Sequence, residues 1–396
     1  MHDLLSMQPL QPSQALVVDV AFPCTLVSPT FGVSQPYIAD SPAKAAYVDA
    51  VEAELGSVDD GLRVRPVAAL RLSGGASLMS ADKVCHLVRR LRRELAVEPR
   101  AQVAVDVEPL TVGTPSLTNW TSCGVNRVNL AVWSAVDSEL AALGVPHRRE
   151  QVQDTLLFLE KFHLGNVNVR LLFGLPGQTP RSWEESLRTF AAVDCPHIEI
   201  RPLVEPVAEK ASRLPDRTAR RALYLQACEV LGGRGYVEYL PGMFVRSDAP
   251  HARDGFAMAQ TAGADLLALG AGARNRWDGF LYENDPEFDG YVRNAADFEK
   301  LVRNPRREGA DARQIRRAVG LLDAGYPFAS GDLLMVDDDG ESDAGGAAGG
   351  ELHPAVQAWL DEQVAVGLLS VSDGRYALTD EGRFARVEHA GVELAL

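Results

Sequence analysis

Lysine is scarce in this 396-residue sequence, occurring only at Lys44, Lys83, Lys161, Lys210 and Lys300. Its 39 basic residues face 54 acidic ones, a formal net charge of −15. A balance of that sign repels nucleic acid and anionic membrane, so neither is expected as the main partner. No apolar run approaches the ~20 residues that a membrane-spanning helix needs. Residues 1–14 lack the basic and apolar stretches of a secretory signal. Cysteine is sparse too. Cys24, Cys85, Cys123, Cys195 and Cys228 are scattered without any CxxC spacing, which reads as the reduced thiols of a cytoplasmic protein. HExxH, GxSxG and Walker-type loops are absent, so the usual hydrolase and phosphate-loop readings have no support.

What is present is an ordinary globular balance, 46% apolar and 23% charged residues, long enough for one large α/β domain and a smaller appendage. Short β-branched runs recur at 15–22, 67–72, 102–107, 127–132, 166–173 and 197–203. Amphipathic stretches lie between them at 43–55, 81–95, 117–122, 149–162 and 181–192. Strand-then-helix alternation repeated six times predicts parallel βαβ units in a (βα)6 partial barrel. A long helix is expected over 216–231, then β-like stretches at 235–245 and 265–272. Residues 337–350 (DDDGESDAGGAAGG) are acidic and glycine-rich and read as a linker. Beyond them, 354–369 reads as an amphipathic helix, and LLSVSDGRYALTDEGR as a hairpin turning at Asp373-Gly374. The expected division is a tail over 1–14, the barrel over 15–235, an extension over 236–330 that closes it, a linker over 331–350, and a winged-helix-like module over 351–396. That module's acidity favours packing over DNA binding.

Ligands of parallel α/β domains bind at the carboxyl ends of the strands. The first strand ends in Phe22-Pro23-Cys24. The second ends in Ser73-Gly74-Gly75-Ala76, where Gly74 and Gly75 would let backbone amides approach a ligand or simply form a tight turn. The third ends with Asp106 and Glu108 before Pro109, and the fourth in Trp133. The fifth carries Arg170, and the sixth Arg201 with Glu205 beyond it. Trp133 and Arg170 could clamp an anionic or aromatic ligand by stacking and charge. The plainer alternative is that Trp133 fills volume and Arg170 pairs with Asp106 or Glu108. The histidines form no metal motif.

GVNRVNLAVWSAVDSELAALG (124–144), NVNVRLLFGLPGQTPRSWEESL (166–187), HIEIRPLVEP, GYVEY (235–239), LGAGAR (269–274) and the C-terminal VGLLSVSDGRYALTDEGR come in the order seen in one family. The chain resembles the oxygen-independent coproporphyrinogen III oxidase and haem-chaperone branch of the radical-SAM superfamily over nearly its whole length. The resemblance implies a CxxxCxxC loop after strand one, whose three thiolates hold a [4Fe–4S] cluster with one iron left for S-adenosylmethionine (SAM). Here that frame falls on Cys24, Ser28 and Phe31, so only one ligand remains. The family's GGGTPS is shortened to Ser73–Ser77, and its EANP becomes Asp106-Val107-Glu108-Pro109. Its glutamine after strand four becomes Trp133, the arginine of its LGR becomes Val145, and its ribose-binding aspartate becomes Arg170, a reversal of charge. On the substrate side YEISNF becomes Tyr239–Phe244 and the histidine of GAH becomes Arg274.

The expectation is a protein with no cluster and a doubtful SAM site, acting as a binding or accessory partner in tetrapyrrole or specialised-metabolite synthesis, with an unknown small molecule or an active paralogue as its partner. The alternative is an enzyme doing polar acid–base chemistry on an anionic small molecule, with Asp106, Glu108, Glu205 and Glu238 as acid–base groups and Arg170 or Arg201 as anion holders. A second alternative is a radical enzyme whose cluster rests on other ligands.

Overall fold

The structure, a computed structural model, describes residues 15–22, 41–203, 214–334 and 352–389. Cys24, Ser28, Phe31, Glu205 and the acidic stretch 337–350 lie outside them. Six parallel strands form where the β-branched runs stand: β1 (Leu16–Phe22), β2 (Val67–Gly74), β3 (Val97–Val107), β4 (Arg127–Trp133), β5 (Val167–Phe173) and β6 (His197–Pro202). Helices Ser41–Gly56, Ala81–Glu94, Thr114–Cys123, Arg149–Lys161 and Pro180–Ala192 lie between them in sequence. Each pair of neighbouring strands, from β1–β2 to β5–β6, is parallel. The protein is a mixed α/β fold built on this large parallel sheet.

The later strands extend the sheet at both edges. β7 (Tyr236–Leu240) and β8 (Met243–Arg246) form an antiparallel hairpin beside β6. β9 (Asp265–Leu269) pairs parallel with β1, and β10 (Arg274–Trp277), β11 (Phe280–Asn284) and β12 (Val302–Arg307) continue antiparallel beyond it. The order across the sheet is β12-β11-β10-β9-β1-β2-β3-β4-β5-β6-β8-β7.

Period-two alternation divides the parallel strands between two faces. Val18, Val20, Leu70, Leu72, Val103, Val105, Val128, Leu130, Val169, Leu171, Ile198 and Ile200 are buried in the main core. The floor of the inner face is apolar, with Ala15, Val17, Ala69 and Ala264 packed around Phe256 of the short helix Gly255–Thr261. Above that floor most of the long side chains that β3 to β6 put on this face are polar.

A second small core joins Ile315, Ala318 and Leu322 of helix Ala310–Asp323 to Phe328, Leu333, Val356, Leu360 and Tyr376. Helix Pro354–Ala365 leads into the hairpin β13 (Leu369–Ser372) and β14 (Arg375–Leu378). The sequence pattern ran that helix on to 369. Gly367, at φ +79°, ends it earlier and frees Leu369 for the strand. Asp373 and Gly374 both take positive φ at the hairpin turn. The last helix, Asp380–Glu388, then returns to the main core through Phe384 and Val387.

Candidate functional site

The polar ladder starts low on β4. Arg127, fully buried, donates to Asn129 Oδ1 (3.1 Å), Asn166 Oδ1 (2.9 Å) and the carbonyl of Ala252 (2.6 Å), and lies 3.7 Å from the Asp254 carboxylate. Asn129 Nδ2 donates to Asp106 Oδ1 (2.9 Å). Asn168 Nδ2 donates to Glu199 Oε2 (2.7 Å), leaving its oxygen to face His197 Nδ1 at 2.7 Å. Nδ1 therefore carries the proton and Nε2 accepts from the Tyr239 hydroxyl (2.8 Å), whose oxygen in turn accepts the Asp254 N–H (2.8 Å). Burial lowers the His197 pKa well below its ordinary value, and the Arg127 charge adds to this, so the ring is neutral.

Arg170 on β5 holds the next rung. Nη1 donates to Asp106 Oδ2 at 2.7 Å and Nε to Glu199 Oε2 at 3.0 Å, and Glu199 Oε1 accepts from Arg201 Nε. Burial alone would lower the Arg170 pKa, but the two carboxylates outweigh it and hold the guanidinium charged. Glu199 shows the converse: burial would raise its pKa, yet Arg201 and Arg170 keep it well below the usual range. Arg71, paired with Asp19 (2.9 Å), closes the β1–β2 side and stacks over Phe256.

These pairings leave one carboxyl over. Glu108 is 7% exposed and none of the described residues hydrogen-bonds its carboxyl group, although its backbone is pinned on both sides. Its N–H donates to Ser77 Oγ (3.0 Å) and its carbonyl accepts from Thr111 Oγ1 (2.7 Å). Burial, reinforced by the nearby Asp106 charge, pushes the carboxyl up to about 7.

Of the residues singled out in the sequence, Asp106, Glu108, Arg170 and Arg201 come together at this mouth. Arg170 pairs with Asp106, as in the plainer alternative, with its Nη1 and Nε taken up by Asp106 and Glu199. Gly74 and Gly75 do not offer their amides outward: Gly74 N–H points to Asp106 Oδ2 (3.3 Å) and Gly75 N–H donates to the carbonyl of Phe22 (3.0 Å). At Gly74, φ +69°, a Cβ would strike that same carbonyl, so glycine is needed to bring the ends of β1 and β2 together. Trp133 ends β4 at φ +69°, after a register shift, and packs with Leu140, Leu143, Val145, Leu172, Leu175 and Leu203. Its buried indole N–H has no hydrogen-bond partner among the described residues. Glu238 is not part of the mouth. It shares the outer side of β7 with the core residue Tyr236, where Tyr224 Oη and the Gly242 N–H (2.7 Å) donate to it and Arg383 stands 3.7 Å away. Burial raises its pKa, but its part in the fold is to tie β7 to the C-terminal helix.

The sequence reading met Tyr239 only as the start of the stretch that replaces YEISNF, and missed Arg127, Asn129, Asn168, Glu199 and Asp254. All but the last lie on strands, and R-V-N in β4, N-V-R in β5 and H-I-E-I-R in β6 already alternate polar with β-branched residues. That pattern marks a sheet with one polar, buried face.

The end of β1, where the resemblance puts the cluster loop, is fixed from behind. Tyr47 Oη donates to the carbonyl of Ala21 (2.6 Å) and accepts the Ala271 N–H (2.9 Å). Glu54 accepts from the Gly270 N–H (2.9 Å), Asn284 Nδ2 (2.6 Å) and Tyr291 Oη (2.6 Å). Burial pushes the Glu54 carboxyl up to about 7 in spite of these bonds.

No family model matches the chain. Among curated proteins it is similar to the heme chaperone HemW of Haemophilus influenzae, 25% identical over 235 residues, or 57% of this chain and 60% of that one. The HemW of Synechocystis is 29% identical over 205 residues, 49% of this chain and 48% of that protein. The anaerobilin synthase of Escherichia coli O157:H7 is 24% identical over 283 residues, covering 67% and 62%. The chain thus spans about half to two thirds of the length of these relatives. Among solved structures, coproporphyrinogen III oxidase (HemN) of Escherichia coli, a radical-SAM enzyme, superposes with a TM-score of 0.77 over 97% of this chain and 91% of that one, at 17% identity. The chain is thus HemN/HemW-like: similar in sequence to HemW and to anaerobilin synthase, with the fold of HemN.

Proposed function

We propose that this protein binds a small molecule at the mouth of its parallel sheet without a [4Fe–4S] cluster and without making a radical. It would serve as a pseudoenzyme or accessory partner in tetrapyrrole or specialised-metabolite synthesis, beside an active paralogue. The carrying observation is the supply of thiols. A cluster with an open iron needs three thiolates converging on one loop, and the loop frame Cys24, Ser28, Phe31 provides one. The other cysteines do not fit the need. Cys85 and Cys123 are buried on helices behind the sheet, Cys228 lies on helix Arg217–Gly232, and Cys195 precedes β6 at the end of the sheet opposite the mouth. Burial raises the Cys195 thiol to about 11 and those of Cys123 and Cys228 to about 12, which disfavours the thiolate that iron requires. The Arg170 pairing supports the same reading, since guanidinium and carboxylates occupy the place where the resemblance puts a ribose-binding aspartate. The named activities of the relatives, heme chaperone and anaerobilin synthase, are what suggest a tetrapyrrole setting.

The test is anaerobic reconstitution with iron and sulfide, followed by iron analysis and absorbance near ~400 nm, where such clusters absorb. The expected result is sub-stoichiometric iron and no SAM cleavage. Stoichiometric iron with release of deoxyadenosine would overturn the reading in favour of a radical enzyme with unusual cluster ligands.

Glu108 favours a second reading, an enzyme of polar acid–base chemistry. A buried carboxyl held near 7 is poised to exchange a proton at neutral pH, and the half-exposed Arg201, bonded to Glu199 through Nε, has outer nitrogens that none of the described residues engages and that suit an anionic substrate. Cytoplasmic placement is part of the proposal. Among the described residues no helix is long and apolar enough to cross a membrane.

A further inference from the structure

The charges on the inner face are matched pair by pair: Asp19 with Arg71, Asp106 and Glu199 with Arg170 and Arg201, Asp254 with Arg127. Glu108 alone has no such partner among the described residues. Its backbone is fixed through Ser77 and Thr111, and Thr155 Oγ1 donates to the next carbonyl, that of Pro109 (3.1 Å). The fold thus holds this residue rigidly while leaving its side chain unspent, which is how a binding group is prepared rather than how a structural carboxylate is used.

Its surroundings say what would complete it. Asp106 pairs with Asn129 across β3–β4, so the strand register carries Glu108 on toward Ala131, which pairs with Arg170. Ala131 is a small side chain between two long ones. At the end of β4 stands Trp133, whose indole N–H is buried without a described partner and whose neighbours are leucines and Val145. The register thus sets a carboxyl without a described partner one strand from Trp133 and its aliphatic neighbours, with Arg170 Nε and Nη1 already bonded to Glu199 and Asp106.

We propose that Glu108 receives a protonated amine of the ligand bound at this site, whose apolar body lies along Ala131 and Trp133. The ligand class is an aryl- or alkyl-ammonium compound, and the assignment rests on the reading of this mouth as a small-molecule site. A primary ammonium supplies both things Glu108 lacks, a hydrogen-bond donor and a positive charge. Binding draws the carboxyl into its ionised form. The position owes nothing to the family pattern, which has asparagine there.

The probes are 2-phenylethylamine and its neutral isostere 2-phenylethanol, titrated into the iron-free full chain at pH 8 by calorimetry or ligand-observed NMR. The amine should bind about tenfold or more tightly than the alcohol, as expected for one charge-assisted hydrogen bond. In Glu108→Gln the two should bind equally, while Glu299→Gln, an exposed carboxylate elsewhere, should keep the preference. A melting curve of Glu108→Gln at pH 8 confirms that the variant is folded. Equal affinity of the two probes for the parent chain, a preference that survives in Glu108→Gln, or no amine binding up to millimolar concentration would each overturn the assignment. The outcome is separable from that of the reconstitution. Iron loading with SAM cleavage would remove the cluster-less reading and leave the amine preference to stand or fall alone, whereas loss of the amine preference leaves the iron result untouched.

Discussion

Arg170 shows how one residue can be decisive for the fold and unsuited to probing function. Its guanidinium lies 15% exposed between Asp106 and Glu199. Arg170→Ala would leave two buried carboxylates short of their cation, a change that typically costs about 3–5 kcal/mol. Loss of binding in that variant would report unfolding. Arg201, half-exposed with Nε on Glu199, is the better probe of an anionic ligand. Glu108 offers a sharper test through pH. Its carboxyl titrates near 4.5 when unfolded and about 7 when folded, so between those values the native state holds the extra proton. Its contribution is fully present below pH 4.5 and lost as pH rises to about 7. Glu108→Gln keeps the shape and removes that loss. It should be more stable than the parent at pH 8 by up to ~3 kcal/mol, with the gain fading toward pH 4.5. Denaturant midpoints at pH 5 and pH 8 measure it, and an equal shift at both would mean that the folded carboxyl is ionised and partnered. The sequence offered the Arg170–Asp106 pairing as one alternative but not the second partner, Glu199, which faces Arg170 directly across β5–β6. The isolation of Glu108 was not legible, because it depends on which side chains fail to reach it.

At the scale of elements, the strands of the parallel sheet were legible because burial on the helix side demands β-branched residues at every second position, as in V-N-L-A-V of β4. Boundaries were less so. β3 begins at Val97 rather than 102, since Glu98-Pro99-Arg100 has the composition of a loop yet continues the strand beyond the covered part of the sheet. The end of β4 was hidden for another reason. A tryptophan at φ +69° contradicts local preference, and such a backbone costs on the order of 1–3 kcal/mol unless its surroundings enforce it. Here the leucine cluster around the indole does so. The buried indole N–H adds a further cost in the free protein. Trp133→Phe keeps an aromatic ring but deletes the pyrrole ring with its N–H, so relief of the unpaired donor, ~1 kcal/mol, should offset the void left behind and leave the melting temperature of the ligand-free protein nearly unchanged, while any ligand that accepts that hydrogen bond should bind more weakly. A destabilised Trp133→Phe would show that the N–H is already satisfied.

For the whole molecule, the question is whether the C-terminal residues form a separate body. Sequence composition suggests so, because 337–350 reads as a linker. Packing joins them to the rest at two places. Helix Ala310–Asp323 shares the second core with Val356 and Leu360 while Arg386 pairs with its Asp323 (2.8 Å). The last helix sets Phe384, fully buried, against Tyr224 at 5.7 Å between ring centroids and beneath the Arg217 guanidinium. Around it, Glu388 binds Arg217 (2.9 Å) and Arg220 (2.8 Å), and Glu381 binds Arg217 and Arg221. The ion pairs are partly exposed and contribute little each, so the aromatic contact is the seat of the attachment. Phe384→Ala should therefore cost about 3–5 kcal/mol, and it should lower the unfolding midpoint of the parallel sheet together with that of the C-terminal helices. Unfolding followed both by far-ultraviolet circular dichroism and by tryptophan fluorescence distinguishes the cases. Trp183 and Trp120 report the main core and Trp359 the second. Single-tryptophan variants should lose their signals at one midpoint in the parent chain. In Phe384→Ala the midpoints should fall together if the last helix is integral to the fold. A drop confined to Trp359 would show that the C-terminal residues fold as an independent unit and that the contact at Phe384 only docks it.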